Sequence, residues 1–73
     1  MEMKTWIPAD GEICQIDLNY WSEHWPPVWG WCKFLTIHGE DAFWLQRNSD
    51  GDVTPYGDRL DRISGRFRPS ENK

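Results

Sequence analysis

"EICQIDLNY", residues 12–20, is the stretch on which the fold turns. Its even positions Cys14, Ile16, Leu18 and Tyr20 are apolar, whereas Gln15, Asp17 and Asn19 between them are polar. Side chains alternate faces along a strand, so a period of two held over seven residues marks a half-buried antiparallel strand.

Working outward, "PADG" (8–11) reads as a turn, with Gly11 supplying a left-handed backbone position. Downstream, "WSEHWPP" (21–27) ends the alternation, because Pro26 and Pro27 exclude both a central strand and a helix interior. "VWGWCKFLTI" (28–37) is a long β-type run with apolar residues on both faces, and "HGED" turns it into "AFWLQR" (42–47). "NSDG" (48–51) is a further turn, and "DVTPYG" is a short strand that Pro55 confines to an edge or to its own end. "DRLDRI" (58–63) has room for one helical turn with Asp58 as N-cap, and "SGRFRP" (64–69) closes the chain as a last strand.

Glycine and proline thus punctuate the sequence every 8 to 15 residues, with no internal repeat. The expected strands lie near 12–19, 28–38, 42–47, 52–56 and 65–68. The fold class they define is all-β: a small five-stranded antiparallel SH3-like barrel with a Trp-rich first loop. It forms one domain over residues 1–69, followed by a disordered tail at 70–73. An OB-type barrel is the neighbouring architecture, but it needs more residues and a longer helix. A barrel this small is filled by side chains, which argues against a large internal pocket.

A 73-residue chain buries only about 60% of its unfolded surface, so it needs heavy apolar side chains or covalent help. Here six tryptophans, three phenylalanines and two tyrosines provide the former. Trp6, Phe34, Trp44, Leu45 and Phe67 are the expected core, and Trp31, deep within the second strand, is expected to join them. Cys14 and Cys32 are too few for a disulfide framework and read as buried reduced thiols. With no secretory leader and no run of 18 apolar residues, the expectation is a cytoplasmic chain without a membrane partner.

The net charge of −4 is unevenly distributed. Residues 1–58 carry ten acids against Lys4, Lys33 and Arg47, whereas residues 59–73 carry Arg59, Arg62, Arg66, Arg68 and Lys73 against Asp61 and Glu71. An acidic body disfavours general affinity for phosphate backbones, which depends on clustered cations.

Catalytic and metal chemistry find no support in the spacing. Cys14, His24, Cys32 and His38 are scattered, without C-x-x-C or H-x-x-x-H ligand pairs. Cys32 and His38 share a strand face but stand about 20 Å apart at ~3.3 Å per residue, beyond proton transfer. "SDGD" (49–52) has the acids of a calcium loop without its length or terminal Glu. The sequence is therefore read as a non-enzyme with no catalytic residues, no metal site and no cofactor.

What remains is the aromatic segment "YWSEHWPPVWGW", residues 20–31. A small barrel lacks the interior volume for Trp21, Trp25 and Trp29 in addition to its core rings. Tryptophan and tyrosine are the residues most enriched at binding hot spots. The expected partner-binding set is therefore Tyr20, Trp21, Glu23, His24, Trp25 and Trp29, rimmed by Asp17 and Asn19, with Arg59 and Arg62 as a secondary contact.

"TWIPADGEICQI" at the start and "GRFRP" near the end carry a resemblance. With Trp6, Pro8, Gly11, Cys14, Trp31, Trp44, Phe67, Arg68 and Pro69 in place, the chain resembles small accessory proteins with an SH3-like barrel encoded by tailed bacteriophages. The segment "SEHWPPVWG" is longer and richer in Trp than that pattern. The resemblance implies a phage-encoded protein-interaction module that inhibits or redirects a host protein, such as an anti-phage defence component, in the manner of anti-CRISPR-like inhibitors. Its setting would be the cytoplasm of the infected host cell. Two other classes compete with it. One is a nucleic-acid-binding barrel that uses Trp stacking and the C-terminal arginines, which the acidic body disfavours. The other is a self-associating structural or virion component, the chain otherwise being a monomer or weak homodimer.

Overall fold

The computed structural model describes residues 6–22 and 24–70. Glu23 of the expected partner-binding set lies outside the described residues, as do positions 71–73 of the expected tail; Ser70, the first tail position, is half-buried. The element order is β1 (Ile13–Asp17), β2 (Trp29–His38), β3 (Asp41–Arg47), β4 (Val53–Arg59), α1 (Leu60–Ile63) and β5 (Phe67–Pro69). The strands form one antiparallel sheet in the order β4-β3-β2-β1-β5. The chain is all-β, as the alternation in residues 12–20 implies.

The alternation also sets which face is core. Cys14 and Ile16 of β1 are buried and stand opposite Cys32 and Gly30 of β2. Phe34, Ala42, Trp44, Ile63 and Phe67 complete the buried cluster. Trp44 on β3 and Phe67 on β5 meet at 5.8 Å between ring centres, although β2 and β1 separate their strands. A flat sheet at ~4.8 Å per strand would hold them about 14 Å apart, so the sheet is strongly curled around these rings. It stays open between β4 and β5, and α1 connects those two strands while burying Ile63.

The turns obey local chemistry. Gly11 takes φ +81° and donates its N–H to the Phe34 carbonyl at 2.7 Å, extending the β1–β2 pairing back into the turn. Gly39, at the first of two central positions between the paired His38 and Asp41, takes φ +64°, the arrangement that suits a tight hairpin. β4 is an edge strand, as Pro55 requires. The bonds joining Asn48 to Asp52 and Leu60 to Glu40 place the β4 ladder bonds at even positions. The nitrogen of Pro55 therefore faces the open edge, where it costs no ladder bond and blunts pairing with another strand.

Three expectations are corrected. Trp31 is not core: it sits opposite Gln15 on the outer sheet face, half-buried beneath Arg47. Leu45 shares that face and is likewise half-buried. Because β2 and β3 are apolar on both faces, composition does not assign their parity; pairing with Cys14 and Ile16 does. Asp58 does not cap the helix. β4 runs through Arg59, which occupies the N-cap position without a side-chain cap bond, and Asp58 instead forms an ion pair with Arg62 at 3.7 Å.

Candidate interaction site

The connection from β1 to β2 spans residues 18–28 and is tied at its base by one buried carboxylate. Asp17, 2% exposed, accepts the Asn19 N–H at 2.8 Å and the Val28 N–H at 3.1 Å on Oδ1. Its Oδ2 faces the Arg66 guanidinium at 3.5 Å. Leu18 N–H donates to the Val28 carbonyl at 2.7 Å, and Asn19 Nδ2 donates to the Pro26 carbonyl at 2.9 Å. Both ends of the loop are thus fastened together. Gly30 assists at the base: a Cβ there would approach Leu18 Cδ1 to 2.9 Å, so a larger residue would have to shift that leucine from its place over β2. Asp17 and Asn19, expected as a polar rim for a partner, are internal fasteners instead.

Above this base the chain makes two successive turns, with Tyr20 N–H bonded to the Asp17 carbonyl and Ser22 N–H to the Asn19 carbonyl. Trp21 and Trp25 leave the loop on the solvent side, 62% and 58% exposed. Their ring centres are 5.3 Å apart at an interplanar angle of 59°, within the range of favourable aromatic pairs. His24 is exposed beside them, its N–H bonded to Ser22 Oγ at 3.2 Å. The result is an aromatic knob on a fastened loop.

Trp21 also forms the ridge between two grooves. On one side Leu18, Val28 and Trp21 line a cleft of about 350 Å³ whose polar lining comes from Asn19, Gln46 and Asn48. On the other, Tyr20 and Trp21 border a cleft of about 540 Å³ towards Asp61, Arg62, Ser64 and Arg66. Val28 is 51% exposed, so the first groove continues the apolar surface of the knob.

The expected partner-binding set is therefore only partly assembled. Trp21, Trp25 and His24 share the exposed loop. Tyr20 turns inward, its ring edge-on to Trp44 at 5.9 Å, and burial followed by the nearby Asp58 carboxylate pushes its hydroxyl above the usual tyrosine range. Trp29 belongs to the outer sheet face, with the Arg68 guanidinium 4.4 Å from its ring centre. Arg62 borders the polar cleft beside Trp21, but Arg59 does not. Arg59 is held by Asp61 through Nε at 3.2 Å and Nη2 at 3.1 Å, with Glu40 at 3.9 Å. Sequence reasoning missed the Trp29–Arg68 and Trp31–Arg47 pairs. Their signal was the parity of β2: once Cys32 faces Cys14, Trp29 and Trp31 must face out together.

Cys14 and Cys32 are free, buried and directly opposed. The Cys14 hydrogen bond, then burial, pushes the Cys32 thiol far above its ordinary value, so it stays neutral and unreactive. Among the described residues no group of three His, Cys, Asp or Glu side chains is arranged to hold a metal ion. No helix among them is long and apolar enough to cross a membrane. Comparisons with protein families, with curated proteins and with solved structures each returned no match.

Proposed function

We propose that the chain is a protein-interaction module whose Trp21–Trp25 knob inserts into a pocket of a partner protein, as the resemblance to phage accessory proteins implies for a host target. The observation that carries this reading is the pair itself: two indoles, each more than half exposed, on a loop fastened by Asp17 and Asn19. Burying a large indole is among the most favourable events at an interface, and a loop ordered beforehand loses little further entropy on binding. Two prolines between Trp25 and Val28 narrow the unbound ensemble further. The clefts on either side of Trp21 give the partner places to insert side chains of its own, apolar on the Val28 side and polar on the Arg62 side.

The test is quantitative capture from nuclease-treated host extract by the intact chain and by Trp21→Ala, Trp25→Ala and Lys33→Ala variants. The reading requires a specific protein captured by the intact chain and by Lys33→Ala, and lost with either tryptophan variant. Capture that survives both tryptophan substitutions contradicts it.

A further inference from the structure

The face of the sheet opposite the core carries rings and cations in register. Arg68 on β5 stands opposite Gln15 on β1, and Gln15 stands opposite Trp31 on β2. Arg47, at the end of β3, places its guanidinium carbon 5.4 Å from the Trp31 ring centre. One row along, Trp29 lies under Arg68 at 4.4 Å. One row the other way, Lys33 stands between Ile13 and Leu45.

Charge on this face differs from charge elsewhere on the chain. Arg59, Arg62 and Arg66 each face a carboxylate within 4.0 Å. Among the described residues neither Lys33 nor Arg47 has one. Asp17, the acid closest in register, is buried and engaged with Arg66 and the loop amides. In a protein of net charge −4, Lys33 and Arg47 thus place positive charge without a carboxylate partner among the described residues beside the outward-facing Trp31.

We propose that this outer face binds single-stranded nucleic acid, with the Trp29–Arg68 and Trp31–Arg47 pairs as stacking platforms and Lys33 as a phosphate contact. Bases stack on indoles and on guanidinium planes alike. Trp29 and Trp31 are two residues apart on one strand, so their Cα atoms are separated by ~6.6 Å, a span that successive bases of an extended strand can bridge. A polynucleotide is the polymer that carries a planar ring and a negative charge in every repeat, matching alternation of ring and cation in the protein. An acidic polypeptide supplies the charge but does not present a ring at each repeat. Few cations are available, so affinity is modest and duplex, with its stacked and inaccessible bases, binds less well.

The site is distinct from the aromatic loop. The test is fluorescence anisotropy of a labelled oligothymidylate of roughly a dozen nucleotides, within the usual site size of about 4–16, titrated with the intact chain between about 50 and about 200 mM salt. Saturable binding is expected, with a log–log salt slope of about −1.4, the value for two phosphate contacts, Lys33 and Arg47, on a single strand. Lys33→Ala and Arg47→Ala should each make that slope shallower by about 0.7. Trp21→Ala with Trp25→Ala should leave it unchanged. Lys33 is exposed, so its variant reports binding even if the Arg47 variant is destabilised. Absence of binding at the lower salt, an unchanged slope in the Lys33 variant, or tighter binding to polyglutamate than to the oligonucleotide would each overturn the proposal.

Discussion

Trp21 and Trp25 pack against each other at 5.3 Å while each remains more than half exposed. Two indoles that satisfy one another without joining the core are a surface feature, and the fold beneath them is complete without their contribution. Core rings stand in contrast. Trp44 is fully buried, meets Tyr20, Tyr56 and Phe67 within 6.1 Å, and donates its Nε1–H to Gln46 Oε1 at 3.0 Å.

Trp44→Ala is therefore expected to unfold the protein. Truncating a buried aromatic costs ~3–5 kcal/mol, comparable to the whole stability of a domain near the low end of ~5–15 kcal/mol. Trp31→Ala, on the outer face, should cost about 1–2 kcal/mol. Urea melts of the two variants check the order. A Trp31 variant as unstable as the Trp44 variant would place the core on the wrong face of β2.

Asp17 offers a second, sharper test. Asp17→Ala removes the carboxylate facing Arg66 and leaves two loop amides without their acceptor, a loss of ~1–3 kcal/mol for hydrogen-bonding groups left unsatisfied. Asp17→Asn keeps an amide oxygen for Asn19 and Val28 and should lose less. Amide hydrogen exchange at Val28 should accelerate in the alanine variant before exchange at Phe34 does. Equal exchange in both variants would show that Asp17 does not fasten the loop.

How far the sequence revealed this arrangement depends on period. Residues 12–20 alternate cleanly, and they gave the strand, its buried face and hence the all-β class. Turns at Gly11 and Gly39 were readable because positive φ has a residue signature. Trp31 was not readable, since β2 is apolar on both faces and only its register against Cys14 decides which face is buried. The role of Asp17 was hidden for a related reason. Strand parity put it on the wet face, whereas the returning loop at Val28 and the side chain of Arg66 cover it. Trp21 and Trp25 were legible as loop residues because prolines break periodicity locally, without reference to the rest of the chain.

Tyrosine titration should register the environment of Tyr20. Tyr20 is raised by burial first and by the Asp58 carboxylate second. A raised folded value favours the protonated phenol. Its contribution to stability is fully present below the unfolded value of about 10 and is lost as pH rises through the folded value. Ultraviolet difference titration of Tyr20→Phe should lack a phenolate step that the intact chain shows above the usual tyrosine value of about 10. A variant whose titration above that value matches that of the intact chain would contradict the assignment.

Cys14 and Cys32 should behave as packing residues. A thiol reagent should find neither in the folded chain and both after denaturation, because Cys14 and Cys32 are only 1% and 0% exposed and the Cys32 thiol is held neutral. Rapid labelling of either thiol in the native state would show that the β1–β2 pairing opens readily.

The central claim, that the aromatic loop is a docking surface built on a fold that does not need it, is tested most directly by the Trp21→Ala, Trp25→Ala double variant. Its thermal melt and its capture of partner from nuclease-treated extract are measured on one preparation. The account predicts a melt close to that of the intact chain and capture weakened by about 2 kcal/mol or more, roughly thirtyfold. A double variant that melts as badly as Trp44→Ala, or that melts normally and captures partner undiminished, would contradict it.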